Sequence, residues 1–556
     1  MKKTLSFFAA AALAASASVP AKADILSELL PNGFSLVAGL LGQGVFPTSA
    51  NFTTDDSVVF TSRVDGTQIA GNIFVPTNVS GPRPAIIFVS SWGLNEYEYL
   101  AEAARFAEEG YIVLSYSARG WGESGGLIDT AGPKDMEDFS SAIDYLIANY
   151  NVDASKIGAS GISYGSGISL LGAAHDSRIR AVVAMSTWGS LVESLYGQQT
   201  PRQVWGSLLV LTGKLLGRMD PIIEDTWNDV SNHRNIPAVT TWADERSPLK
   251  FVSQLNTNKP AVYISQNWGD NLFQVNSVFN LFNQLNTPKH IDLQAGTHAM
   301  GEIATMLADG NSHVWNNAHR WFAQYLKGES NAMESQLPVG MKVKFSSNGY
   351  EQMAALPGSS AKTQTYYLHP RNLIDNGDLS TSPYTSWFPA QNTINSFSDT
   401  LASTQIPLLS QMLEIVDTKV QSNIPLISMN TTQAVVFDSG KLSSTMKIRG
   451  IPSLSMYIQP WYDTVQMVAY LYDMDSSGTG TLITHAPVTL PAAKSGQLTK
   501  VDMKLVGTAY DVPAGHKVVL VVDTEDLLYT QPTWFPYSID FEFNKNYQST
   551  LTLPIL

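Results

Sequence analysis

Ser163 stands in the stretch Lys156-Ile-Gly-Ala-Ser-Gly161-Ile162-Ser163-Tyr164-Gly165, with a glycine two positions to either side, after an apolar run and before a run of small residues. This is the local grammar of a nucleophile elbow, a strand-turn-helix junction that holds a serine in a strained backbone conformation. Small residues at those two positions keep the turn clear of clashes. A serine hydroxyl is a poor nucleophile near neutrality, so it needs a base to take its proton and a carboxylate to hold that base in the right tautomer.

The pentapeptide alone is weak. With 40 glycines in 556 residues, a G-x-S-x-G match is expected by chance on the order of a few tenths of a time per chain. A second match occurs, Gly122-Glu-Ser124-Gly-Gly126. It follows the strand-like run Tyr111–Tyr116, but Gly-Leu-Ile-Asp-Thr-Ala-Gly-Pro comes next and reads as a loop. After Ser163 and Tyr164 come Gly-Ser-Gly-Ile-Ser-Leu-Leu-Gly-Ala-Ala-His, small and apolar residues that can pack a helix closely on a sheet. Context makes Ser163 the nucleophile candidate and Ser124 the decoy.

In an α/β-hydrolase the partners follow in the order Ser, Asp, His. The strand-like run Ala261–Ser265 leads into Gln-Asn-Trp268-Gly269-Asp270, and the run His290–Gln294 leads into Ala295-Gly-Thr-His298. Asp270 and His298 thus each fall in the loop just beyond a predicted strand. Asp270 also suits a turn or helix cap, a common role for Asp before Asn-Leu-Phe. His290, His313 and His319 compete with His298, the latter two as residues of a helix.

The elements that must position these residues are legible as a rhythm. Val58–Val64 and Gln68–Val75, joined through Asp65-Gly66, read as a hairpin. The apolar runs 85–89, 111–116, 156–162, 179–185, 261–265 and 290–294 read as buried strands. Helix-period segments separate most of them, at 97–109, 135–150 and 273–285, which implies a mainly parallel sheet covered on both faces. Between 188 and 258 no strong strand appears, and Trp188, Trp205, Trp227 and Trp242 occur among helix-like stretches. That segment is predicted to be an inserted helical cap over the carboxyl ends of the strands, its tryptophans either lining a pocket or packing the insert itself. After 335 the pattern turns to short alternating strands, including Val339–Phe345, 444–448, 454–459, 466–472, 517–522 and 550–554, with a long excursion over 372–428. This is a β-sandwich pattern.

The predicted organisation is a signal peptide over 1–23, a catalytic α/β domain over 24–187 and 259–334, the cap over 188–258, and a β-sandwich over 335–556. Lys2 and Lys3, an apolar run and Ala21-Lys22-Ala23 form the tripartite signal, so periplasmic or secreted delivery is expected. No later run approaches the ~20 apolar residues of a membrane span. Cysteine is absent, which removes thiolate metal sites and cysteine nucleophiles and fits export without mispaired disulfides. The net charge of −14, about −17 once the three signal lysines are removed, disfavours nucleic acid as a partner. There is no His-Glu-x-x-His. Asp473-Met-Asp475-Ser-Ser-Gly478 begins like a calcium loop but has Thr484 where the bidentate Glu belongs, so a turn between strands is the better reading.

Together these residues resemble the CocE/NonD family, serine hydrolases that are cocaine-esterase-like and X-prolyl dipeptidyl-peptidase-like. The resemblance rests on Arg119-Gly-Trp-Gly-Glu-Ser-Gly125, Gly161-Ile-Ser-Tyr-Gly165, Trp268-Gly-Asp270, Gly296-Thr-His298, Arg320-Trp-Phe-Ala-Gln-Tyr-Leu-Lys-Gly-Glu329, Val512-Pro-Ala-Gly-His516 and the ending Ser549–Pro554. It implies an α/β-hydrolase core, a helical cap and a C-terminal jelly roll, with esters or amides cleaved without a cofactor. Carried over, Ser163 attacks a carbonyl, His298 moves the proton, Asp270 orients His298, and the Tyr164 backbone N–H donates to the oxyanion. Family members often use a tyrosine hydroxyl as second donor, where this chain has Ser90-Ser91-Trp92-Gly93. The Trp92 indole, the Ser91 hydroxyl or a backbone N–H remain alternatives there. The expected partner is a small-molecule or peptide acyl substrate. An exopeptidase would need carboxylates for a free amine, for which Glu193, Glu224, Asp225 and Asp229 are available. Exposed helix acids explain those residues more simply, so a carboxylic ester ranks ahead. An inert binding protein that uses its sandwich is the alternative of a different class.

Overall fold

The structure is a computed structural model that describes residues 46–77, 80–308, 312–356, 362–372, 375–396, 423–426 and 432–556. The predicted signal peptide and most of the 372–428 excursion lie outside the described residues. Asp65-Gly66 turns the chain between β1 (Phe52–Thr61) and β2 (Gln68–Pro76), with Gly66 at φ 76°, a conformation that favours glycine. β1 pairs antiparallel with β2, and β2 with β4 (Ile112–Tyr116).

From β4 the sheet is parallel, because each crossover carries a helix. It runs β4, β3 (Arg83–Val89), β5 (Val152–Ile162), β6 (Ile179–Met185), β7 (Ala261–Asn267), β8 (Lys289–Gln294). The covering helices are α1 (Leu100–Glu108), α2 (Pro133–Asn149), α3 (Tyr164–His175), α4 (Leu191–Tyr196), α5 (Gln203–Leu216), α6 (Pro221–Ser231), α7 (Ile236–Asp244), α8 (Val252–Asn258), α9 (Val275–Gln284), α10 (Met300–Ala308) and α11 (His313–Phe322). Helices α4 to α8 all fall between β6 and β7, where no strand intervenes. The strands are buried on both faces, as helices on either side require. One face packs Phe139, Ile143 and Leu170, the other Phe106, Trp321 and Phe322.

β3 lies between β4 and β5, so the chain order reverses there and a crevice opens beyond the carboxyl ends of β3 and β5. That crevice is where Ser163 sits.

One expectation fails. The run from Val339, read from its alternation as a sandwich strand, instead forms β9 (Val339–Met341), parallel to β8 with Val339 opposite Ile291, and β10 (Glu351–Met353) continues the same sheet. A period of two shows that a strand exists but not which open edge it covers, and β8 offered an edge. From Lys362 to Ile555 the strands form a second, all-β domain joined in one 14-stranded ladder among the described residues. Its own core is built on Met456, Met467, Leu520 and Phe541. The two domains also share a core, in which Val275 and Phe279 of α9 join Tyr470, Tyr472 and Val521.

Candidate active site

Ser163 occupies the junction of β5 and α3 at φ 54°, ψ −116°, strained for a residue with a Cβ. Why glycine flanks it is visible in distances. A Cβ on Gly161 would lie 2.5 Å from the Gly165 carbonyl carbon, and one on Gly165 would lie 2.0 Å from the Val89 carbonyl oxygen. Neither backbone atom can yield, so the elbow closes only with glycine at both places.

The loops after β7 and β8 bring the other two residues to Ser163. Its hydroxyl lies 2.8 Å from His298 Nε2, and His298 Nδ1 donates to Asp270 Oδ2 at 2.8 Å. The Asp270 carboxylate is fully buried, and the His298 ring nearly so, at 8% exposure. Asp270 has the turn role as well, because its Oδ1 accepts from the Leu272 and Phe273 N–H groups at 3.0 and 2.8 Å. The Gln266 amide donates to Oδ2 at 3.2 Å. Phe273 and Trp205 meet the His298 ring edge to face at 5.0 and 5.7 Å. Sequence reasoning had no signal for Gln266, whose role depends on a strand end folding back on its own loop.

The competing residues are elsewhere. Ser124 is buried, its Oγ accepting from the Ala70 N–H and donating to the Ser117 carbonyl at 2.7 Å, while Arg119 of the same motif pairs with Asp138 and Asp65. That motif therefore builds structure. His290 and His313 bind Asp292, and His319 binds Glu102 and Glu109. Asp475 closes a turn through Ser477 and Thr479, and Asp473 accepts from Tyr510 and His516.

Comparison with known proteins agrees with this architecture in both halves. Residues 65–300 match the X-Pro dipeptidyl-peptidase (S15) family, and residues 331–550 match the X-Pro dipeptidyl-peptidase C-terminal non-catalytic domain. The chain belongs to this X-Pro dipeptidyl-peptidase-like family. A CocE/NonD family hydrolase from Staphylococcus aureus shares its fold at a TM-score of 0.71 with 13% identity, over 91% of this chain and 94% of that one. An α-amino acid ester hydrolase does so at 0.69 with 15% identity, over 93% and 98%. Among curated relatives, an uncharacterized protein of Pseudomonas aeruginosa is 33% identical over 26% of this chain and 39% of its own length. A polyketide transferase of Penicillium crustosum is 29% identical over 30% and 57%. The matched stretch thus spans less than two thirds of either relative.

Within the family fold, this chain's helices α4 to α7 roof the crevice. A cavity opens onto Ser163, walled by Trp92, Trp188, Leu209, Trp227, Trp242 and Phe273, among others, and no carboxylate lines it among the described residues. Three of the four cap tryptophans therefore face the pocket. The fourth, Trp205, packs on His298 and donates its indole N–H to Asn271 Oδ1 at 2.7 Å. Of the four cap acids available to a free amine, Glu224 pairs with Lys214, Asp229 pairs with Arg234, and none of the four lines the cavity.

Both side-chain alternatives for an oxyanion donor have partners elsewhere. The Trp92 indole donates to Thr212 Oγ1 at 2.9 Å, and the Ser91 hydroxyl lies 2.7 Å from Glu98 and 2.9 Å from the Ile162 carbonyl. The backbone N–H groups of Tyr164 and Trp92 have no acceptor among the described residues. The Tyr164 hydroxyl donates to Asp135 at 2.9 Å and accepts from the Ala131 N–H at 3.0 Å, which pins a loop whose Thr130 and Ala131 are both at positive φ. Burial pushes the Asp135 carboxyl up to about 8, and the charges of Asp129 and Asp138 add to the effect.

Proposed function

We propose that this chain is an exported serine hydrolase that cleaves carboxylic esters with apolar acyl groups. The observation that carries this reading is the hydrogen-bonded line Ser163–His298–Asp270 opening into a cavity that no carboxylate lines among the described residues. His298 Nε2 takes the Ser163 proton as Oγ attacks the ester carbonyl, and the same proton passes to the leaving alcohol as the tetrahedral intermediate collapses to an acyl-enzyme. Water then repeats the cycle and frees the acid. Asp270 holds Nδ1 protonated and balances the imidazolium while it exists. The Tyr164 and Trp92 backbone N–H groups are assigned to the oxyanion, where a single donor contributes about 3–4 kcal/mol.

An X-prolyl dipeptidyl-peptidase must hold a protonated amine, and an apolar cavity desolvates that charge without a partner. This favours an ester over a peptide. Fluorophosphonate labelling of folded protein tests the nucleophile, with a single adduct expected on Ser163. No adduct there would defeat the enzyme reading. Acyl nitrophenyl esters should be turned over at least tenfold faster than a dipeptidyl-proline anilide, and the reverse order would select the peptidase. Export belongs to the same proposal, and N-terminal analysis of the mature protein should find it beginning near Asp24.

A further inference from the structure

Glu98 lies directly behind the loop that carries Trp92, buried, with no ion pair among the described residues. Its Oε2 accepts from the Ser91 N–H at 2.6 Å, and its Oε1 lies 2.7 Å from Ser91 Oγ. Ser91 Oγ in turn lies 2.9 Å from the carbonyl oxygen of Ile162, the residue before the nucleophile. The adjacent Tyr99 hydroxyl accepts from the Ile162 N–H at 2.9 Å and also contacts Glu98. One short network therefore ties the loop after β3 to the last residue of β5.

The hydrogens available in this network favour a neutral Glu98. Ser91 Oγ has one hydrogen but faces both Glu98 Oε1 and the Ile162 carbonyl oxygen at hydrogen-bond distance. If Glu98 is a carboxylate, one of those contacts has no hydrogen and two acceptors face each other. If Glu98 is a neutral acid, its O–H donates to Ser91 Oγ, Ser91 Oγ–H donates to the Ile162 carbonyl, and the Ser91 N–H donates to the remaining Glu98 oxygen. With the Tyr99 O–H donating to Glu98, every hydrogen of the network then has an acceptor.

We infer that Glu98 is a positioning residue that works as a neutral acid, fixing the Ser91–Trp92 peptide against the nucleophile elbow so that the Trp92 and Tyr164 N–H groups converge on one oxygen. Burial, which raises the Glu98 carboxyl to about 7 against the lowering effect of its Ser91 and Tyr99 hydrogen bonds, acts in the same direction. A carboxylate at this place would also set a negative charge behind the developing oxyanion. The inference rests on the assignment of Ser163 as nucleophile.

Steady-state kinetics on a short acyl nitrophenyl ester test it. Glu98→Gln keeps the pattern, since its amide oxygen accepts from the Ser91 N–H and its NH2 donates to Ser91 Oγ, so kcat should stay within about threefold. Glu98→Leu removes the tie, and kcat should fall about a hundredfold with KM nearly unchanged, the signature of support lost only in the transition state. An unchanged kcat in Glu98→Leu, or an equal fall in Glu98→Gln, would overturn the inference. Should Glu98→Leu fail to fold, Ser91→Ala reports instead, with a fall of about tenfold expected and no change counting against the tie. Independently, a wild-type minus Glu98→Gln infrared difference at mildly acidic pH should contain the carbonyl band of a protonated carboxylic acid, and its absence would refute the neutral form. Wild-type protein without any ester turnover would instead defeat the reading of Ser163 and of the reaction.

Discussion

The three side chains to which the proposal assigns the chemistry, Ser163, His298 and Asp270, differ in exposure. Ser163 opens to the cavity while His298 and Asp270 lie progressively deeper. In the proposed reaction that gradient would let substrate reach Ser163 and keep water from the Asp270 carboxylate. Ser163→Ala should lower kcat by about 10⁶ and Asp270→Asn by about 10⁴, the smaller loss because Asn holds the ring but selects the wrong tautomer. Both should melt near the wild-type temperature, and turnover assays beside calorimetry check the pair. Asp135 gives a prediction for stability. Its folded value of about 8 lies above the ordinary aspartate value of 3.8, so between those limits the unfolded chain has released a proton that the folded one retains. Stability from this group is intact below the lower limit and is lost as pH rises through the upper one. The melting temperature of Asp135→Asn should therefore decline less than wild type between pH 5 and 8.

At the scale of elements, packing at glycines does the most. Gly206 of α5 faces Trp227 of α6, and a Cβ there would lie 2.3 Å from the indole ring. Gly206→Ala displaces that ring, which lines the cavity. Turnover of longer acyl esters should fall about tenfold relative to acetyl esters, which a nitrophenyl ester series would measure; an unchanged profile would mean that the acyl chain lies elsewhere. Gly165→Ala meets backbone instead, at the Val89 carbonyl, and no side chain can relax. It should cost about 3 kcal/mol or more of stability by chemical denaturation, since overpacking against a fixed strand has no outlet. How much of this was legible beforehand varies by element. The β/α rhythm and the Ser, Asp, His order were readable because buried parallel strands are continuous apolar runs and the loops after them lie at one edge of the sheet. The fate of the Val339 run was not, because alternation is the same in any half-buried strand.

Across the whole molecule, the β-domain reaches back to the loop that carries Asp270. Arg202, just before α5, donates to the Asn271 carbonyl at 3.0 Å, one residue from Asp270, and to the Tyr529 hydroxyl at 3.5 Å. Tyr529 is itself 2.9 Å from His485 Nε2, and Gln198 donates to the Pro487 and Lys504 carbonyls. Burial lowers His485 to about 3, helped by the charges of Arg202 and Lys344. This base stays neutral in the folded state while the unfolded chain takes up a proton below its ordinary 6.5, so its stability contribution is lost as pH falls from 6.5 toward 3. His485→Gln should flatten that acid limb, and calorimetry against pH should show both domains melting in one transition. Two transitions, with turnover surviving the first, would mean that the β-domain does not support the site.

The sequence by itself pointed to Ser163, Asp270 and His298 in the order that the structure brings within hydrogen-bond reach, because an elbow needs glycine for steric reasons and a partner in this fold follows a strand. Tertiary structure alone decided what depends on residues meeting across distance. Ser124 is buried while Ser163 opens to a cavity, the cap acids stay off its wall, and the Ser91 and Trp92 side chains are held by Glu98 and Thr212. A hydrogen bond between residues far apart in the chain leaves no periodicity or spacing to read, and those bonds occupy the Ser91 and Trp92 side chains.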